Sequence, residues 1–188
     1  MEDYKQIGLL VLVAVLVLLA SRLGKRFGQE SRSARLMKKY ACMTAEVFDG
    51  IPEDERVTAM VCHVLSVAAK TRRPHVVKVL ASVSHGYTVV YSVWAVCNEL
   101  ARGDFAGLMS TPTKELVEPA REAMQAIGAA DCAAALEAMR VAYAEGQEDA
   151  EAEGAYRLAV AKETPLSLCE EYIRDHREEF LDGKPAEE

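Results

Sequence analysis

Two hydrophobic patterns run along this chain. From Ile7 to Ala20 no charge interrupts a stretch of Leu, Val, Ile, Ala and Gly. Extended from Tyr4 to Leu23, it reaches the ~20 residues that cross a hydrocarbon core, with Lys5 and Arg22 snorkelling outward. Beyond it, apolar residues recur every three to four positions and no run alternates with period two, which predicts helices. Ser33–Phe48 reads as a helix closed by Asp49-Gly50. Pro52 then opens a helix to about Lys70, with Glu53, Asp54 and Glu55 at its positive end and Val57, Met60, Val61, Val64, Leu65 and Ala68 on one face. Thr71-Arg72-Arg73-Pro74 breaks the chain. His75–Ser82 reads as a short helix, or as a strand by its Val content. Gly86 separates it from a helix over Tyr87–Ala101. Gly103–Thr113 reads as a loop, Glu118-Pro119 opens a helix ending at Ile127-Gly128, and Asp131 caps a helix to Glu145. An acidic loop, Gly146–Gly154, precedes helices over Ala155–Glu163 and Pro165–Phe180, the second with Thr164 as N-cap.

The expected fold class is therefore all-α, an N-terminal transmembrane helix followed by a multi-helix domain. Residues 1–27 form the anchor, 28–50 a basic juxtamembrane segment, 51–182 the helical domain and 183–188 a disordered tail. A cleaved signal peptide would carry a basic leader, and here Glu2 and Asp3 stand there instead. A buried core helix is the other alternative. Arg22, Lys25, Arg26, Arg32, Arg35, Lys38 and Lys39 follow the run, with Glu30 as the one acid among them. Positive charge stays on the cytoplasmic side, so the expected location is the inner membrane, single-pass, N-terminus outside and domain in the cytoplasm. The same basic stretch would also attract anionic headgroups.

The net charge of −7 conceals an asymmetry. Basic residues crowd near the apolar run, whereas fourteen acids lie between Glu145 and Glu188. Such a surface repels nucleic acid, so no direct nucleic-acid binding is expected. Five single cysteines, with no framework spacing, fit a reducing compartment and buried thiols.

Candidate chemistry is sparse. His63, His75, His85 and His176 have no partner at metal-ligand spacing, and no Gly-rich phosphate loop follows a strand, so neither metal nor cofactor is expected. No catalytic residue is assigned. Cys97 with His63 or His85 would make a nucleophile and base, but a buried thiol beside Trp94 is the simpler account. Glu99 and Asp104 would make an acid–base pair, or a solvated cluster beside Arg102. Tyr87, Tyr91, Trp94 and Asn98 fall on one helix face, as a ligand groove or a core seam.

Tyr91-Ser92-Val93-Trp94-Ala95-Val96-Cys97-Asn98-Glu99-Leu100-Ala101-Arg102-Gly103-Asp104-Phe105 and the later Glu118-Pro119-Ala120 to Ile127-Gly128-Ala129 resemble the bacterial DNA-mimic-like helical domain family, which is mostly uncharacterised. Its pattern is an aromatic helix ending Asn-Glu, a Gly-Gly-Phe loop and a helix closing on Ile-Gly-Ala. Tyr172-Ile173 to Glu179-Phe180 resembles its last helix, and the likeness spans roughly residues 55–181. The resemblance implies a compact helical domain, no known enzyme activity, and at least one member that imitates DNA with surface carboxylates. By position it marks Trp94, Asn98, Glu99, Gly103, Phe105, Ile127 and Gly128 as motif residues with structural roles. The chain departs from the pattern at Arg102, Asp104, Gly107 and Thr111.

The leading expectation is a membrane-anchored cytosolic interaction domain. It would meet the lipid bilayer through residues 4–23 and a basic protein partner through Glu148, Asp149, Glu151, Glu153, Glu171, Asp175, Glu178 and Glu179. On one continuous helix, Glu171, Asp175, Glu178 and Glu179 would share one side. The alternatives are a ligand-binding module or enzyme using a groove beside Trp94, Asn98 and Glu99, a structural accessory tethering a complex, and an acidic face kept for solubility.

Overall fold

Helices and short 3-10 turns account for all the regular structure among residues 32–71, 75–147 and 150–182, the parts of the chain that the computed structural model describes. The expected anchor at 4–23 and the tail at 183–188 lie outside them. Among the described residues, no helix is long and apolar enough to cross a membrane. Residues 32–39 form helix α1, in a different unit from the residues from Tyr40 onward. The second unit is an all-α domain. Its helices are α2 (Ala45–Asp49), α3 (Arg56–Thr71), α4 (Val76–Leu80), α5 (His85–Leu100), α6 (Phe105–Met109), α7 (Val117–Ala126), α8 (Ala130–Ala144), α9 (Ala150–Glu163) and α10 (Pro165–Asp175). 3-10 turns at Glu53–Glu55, Pro112–Leu116 and Arg177–Phe180 join them.

Helix α5 is central. Tyr87, Val89, Val90, Tyr91, Val93, Ala95, Val96 and Leu100 are buried around most of its circumference, and α3, α4, α6, α7 and α10 pack on it. Its valines disfavour an isolated helix by a few tenths of a kcal/mol each, and burying them is worth far more. Helices α8 and α9 lie side by side, with α7 against α8.

Several expected boundaries fall elsewhere, each for a local reason. The helix expected over Ser33–Phe48 is broken at 40–44, where Tyr40 and Met43 are fully buried and Thr44 restarts the chain as α2, its hydroxyl accepting from Val47 N at 3.3 Å. The expected loop over Gly103–Thr113 holds α6, because Asp104 accepts from Gly107 N at 2.6 Å and caps a helical turn. Gly86 is no separator. It lies in the first turn of α5, where the chain's end packs closely against it. The expected loop to Gly154 gives way to helix from Ala150. Asp131 is not the cap of α8; the Glu163 carboxylate accepts from both Asp131 N and Cys132 N at 2.9 Å. That cap comes from α9, beyond the reach of a local sequence rule. Thr164 makes no side-chain cap. It turns the chain between α9 and α10 in the left-handed region at φ 46°, ψ 62°, strained by roughly 1–2 kcal/mol.

Candidate functional site

The last turn of the domain, Arg177–Phe180, is held at the beginning of α5. Phe180 is fully buried, edge-on to Tyr87 at 5.2 Å and stacked on Phe48 at 6.3 Å. Its carbonyl accepts from the Tyr87 hydroxyl at 2.8 Å, and the Glu179 carbonyl accepts from Ser84 Oγ. A Cβ on Gly86 would lie 2.8 Å from the Phe180 ring, so this approach requires glycine. Asp182 then pairs with Met43 through both backbone and side chain, at 2.9 and 2.5 Å.

This anchoring gathers two acidic runs that are far apart in sequence. Arg177 reaches back to Asp49 of α2 with two hydrogen bonds, at 2.9 and 2.8 Å, and to Glu178 at 3.1 Å. Its guanidinium lies 5.5 Å from the Phe48 ring centroid. The Arg177 hydrogen bond holds the Asp49 carboxyl below its usual range. Glu46 is one turn before Asp49 on the same face of α2, and Glu53 and Asp54 follow within a few residues. All four are exposed, as are Asp175 and Glu178. Glu46, Asp49, Glu53 and Asp54 were missed as partner residues by sequence reasoning. Their density was visible, but it reads equally well as helix N-terminal acids.

The predicted acids divide between two places. Glu171 is exposed on α10, and Asp175 is exposed at its end beside Arg174 at 3.1 Å. Glu178 and Glu179 are not on that helix: α10 stops at Asp175, and His176 breaks the helical geometry before the 3-10 turn. The four acids therefore do not share one helical side. Glu179 is half-buried against Gly86 and the Tyr172 hydroxyl at 3.5 Å, where burial and this carboxylate push Tyr172 up to about 12. Glu151 is exposed on α9, and Glu153 is half-buried there, accepting from Phe105 N at 3.0 Å. Glu148 and Asp149 lie outside the described residues. Glu178 and Glu179, in the last turn, sit at the beginning of α5, and Glu153 lies beside its end, where Cys97 meets Tyr156 of α9 at 3.4 Å. Sixteen residues of helix separate them by about 24 Å.

Near the end of α5, two adjoining clefts of about 570 and 710 Å³ share Asp104 and Glu153 in their walls. Cys97 lines the second, but burial pushes its thiol up, away from the thiolate that attacks. Trp94, Asn98 and Glu99 line neither cleft. Trp94 tilts against Tyr91 at 5.5 Å, and the Glu99 carbonyl closes α5 by accepting from Arg102 N and Gly103 N at 3.0 and 3.1 Å. Gly103 is exposed. Phe105 is buried, edge-on to Tyr143 of α8 at 5.8 Å. Buried Ile127 ends α7, and Gly128 makes the following turn at φ +85°. His63 is buried, stacked on Tyr87 at 4.6 Å, its Nδ1 3.0 Å from the Tyr40 carbonyl. It has no link to Cys97. Among the described residues, no three His, Cys, Asp or Glu side chains are grouped to hold a metal.

Among the described residues, an all-helical domain with an acidic surface defines the class. The chain belongs to the DMP19-like protein family, whose model matches residues 81–184. That name refers to a DNA mimic protein, and the family is generally non-enzymatic. Neither a curated protein nor a solved structure matches the chain significantly.

Proposed function

We propose that the chain is a DNA-mimic-like regulator that presents the acidic surface around Arg177 to the basic, DNA-contacting face of a DNA-binding protein. Glu46, Asp49, Glu53, Asp54, Glu171, Asp175 and Glu178 carry that surface. The observation supporting this reading is the Arg177 clamp, which unites acids of α2 with those of the last turn. From Tyr40 onward the sequence holds fourteen Lys and Arg against twenty-six Asp and Glu, so carboxylates remain in excess after internal pairing. A DNA-binding face that neutralises about 6–10 phosphates would meet these carboxylates in competition with Arg56, Arg174 and Arg177, which already pair with Glu53, Asp175, Asp49 and Glu178. Pairs of this kind chiefly speed association and weaken as salt rises. The 4–23 segment would hold the domain at the cytoplasmic side of the inner membrane, so the partner would be retained there.

The test is replacement of Glu46, Asp49, Glu53, Asp54, Asp175 and Glu178 by Gln or Asn in the full chain. An unchanged helical spectrum with loss of a DNA-binding partner supports the reading. Unchanged capture would leave the surface a solubility feature, and a partner without DNA-binding activity would favour the tethering accessory. The enzyme alternative gains no support, since Trp94, Asn98 and Glu99 line neither cleft and burial raises the Cys97 thiol.

A further inference from the structure

Two segments carry the acids around Arg177, and His63 lies where they are tied together. Residues 40–44 lead into α2, which bears Glu46 and Asp49, and Asp182 follows the turn that bears Arg177 and Glu178. Asp182 N donates to the Met43 carbonyl at 2.9 Å, and Asp182 Oδ2 accepts from Met43 N at 2.5 Å. The His63 imidazole, 3% exposed, stacks on Tyr87 of α5 at 4.6 Å. Its neighbours fix where its hydrogen sits. The Tyr40 carbonyl, 3.0 Å from Nδ1, can only accept, so the neutral ring carries its hydrogen on Nδ1 and leaves Nε2 bare. Nε2 faces Asp182 Oδ1 at 3.6 Å, beyond hydrogen-bonding distance.

We propose that His63 is a proton-operated latch: a proton taken up at Nε2 parts Asp182 from Met43 and frees the last turn from α5. Its regulatory consequence rests on the proposed function, because release separates Arg177 from Asp49. In the closed arrangement an imidazolium has a buried Nε2–H with no acceptor in reach, and Asp182 is held off by its two hydrogen bonds to Met43. The surrounding groups do not compensate. Asp182, after the last turn, favours the cation, and Lys70, on α3, opposes it. The Cys42 thiol is kept neutral by its hydrogen bond to Asp182. The Tyr87 hydroxyl is committed to the Phe180 carbonyl at 2.8 Å, and the Tyr40 hydroxyl to Glu55 at 3.0 Å. Burial prevails and holds the imidazole below its ordinary value. Release hydrates the ring, so proton uptake favours the open state. With the open-state ring at its ordinary value of about 6.5, opening gains at most about tenfold between pH 7.5 and 5.5.

Hydrogen exchange of the full chain, followed by mass spectrometry from pH 7.5 to 5.5 and corrected for the intrinsic pH dependence of exchange, reads the latch. Peptides covering 40–44 and 177–182 should lose protection roughly three- to tenfold on acidification, whereas α8 should not change. His63→Gln retains a donor for the Tyr40 carbonyl and removes the titrating ring, so the response should vanish. Asp182→Asn retains an acceptor for Met43 N and removes the carboxylate facing Nε2; its response should persist, since His63 and not Asp182 takes up the proton. Protection that stays constant or rises on acidification overturns the latch. So does an undiminished response in His63→Gln, or a lost one in Asp182→Asn. None of these readings involves a partner. Replacement of the carboxylates around Arg177, assayed at pH 7.5 with the latch closed, tests the proposed function separately, so either can fail without the other.

Discussion

Gly86→Ala and Gly154→Ala are the same chemical change on two helices, and the account predicts opposite signs. On α9, nothing lies within 4 Å of a Cβ at Gly154, so alanine relieves the entropic penalty of a mid-helix glycine and stabilises by about 0.5–1 kcal/mol. On α5, a Cβ at Gly86 would sit 2.8 Å from Phe180 Cζ, 3.0 Å from Glu179 Oε2 and 3.1 Å from Glu179 Cβ. Glu179 Oε2 is the end of a movable side chain. Phe180 is not free to move, since it is fully buried among Phe48, Tyr87 and Tyr172. Overpacking of this kind costs roughly 1–3 kcal/mol, which exceeds the propensity gain, so a net loss of about 1–2 kcal/mol follows. Urea unfolding of the full chain, followed by circular dichroism, should give a lower midpoint for Gly86→Ala and a higher one for Gly154→Ala, with unchanged slopes. A stabilised Gly86→Ala would refute the seating of the last turn on α5, and with it the union of the two acidic runs.

Phe105→Ala should destabilise by about 3–5 kcal/mol in the same assay, because its ring is buried against α8; a loss below about 1 kcal/mol would place the ring outside the core. Glu163→Ala leaves Asp131 N and Cys132 N without their acceptor and should cost about 0.5–2 kcal/mol, with Glu163→Gln retaining most of the cap. Burial raises the Glu163 carboxyl, but the Cys132 and Asp131 N–H groups outweigh it, so the folded value lies below the ordinary 4.5. The linked stability is present above 4.5 and lost as pH falls through the lower folded value, a loss absent in Glu163→Ala. For His63, burial lowers the imidazole below 6.5 despite Asp182 and the Tyr40 carbonyl, and Lys70 acts in the same direction as burial. Its contribution is present above pH 6.5 and lost as pH falls through the folded value; an NMR midpoint above 6.5 would contradict this.

Local signals made much of the fold legible. The burial of α5 follows from its nearly continuous apolar surface, and the C-terminal ends of α3, α5 and α7 lie within a residue or two of their composition signals, although Glu53–Glu55, expected in the first turn of α3, form a separate 3-10 turn before it. Tertiary contacts account for most of the rest. Glu163 caps α8 across 31 residues, so Asp131 merely occupied the place where a local rule puts a cap. Gly86 carries the ordinary mark of a helix breaker, but its role is set by Phe180, 94 positions away. The acidic surface was half legible. Asp175 and Glu178 were found by density, but Asp49 joins them only through Arg177, which no spacing reveals. Equally, Glu153 looked like free surface charge and is tied to Phe105 N.

The central claim is that the surface around Arg177 occupies the site on a partner that DNA would otherwise fill. The most direct measurement uses photo-crosslinkers at Asp54 and Glu178 of the full chain in native cells, identification of the captured protein, and titration of that protein's DNA complex with the chain. The account predicts stoichiometric displacement of DNA, weakened as salt rises and lost when the carboxylates around Arg177 are replaced by amides. A stable ternary complex of partner, DNA and this chain would contradict it.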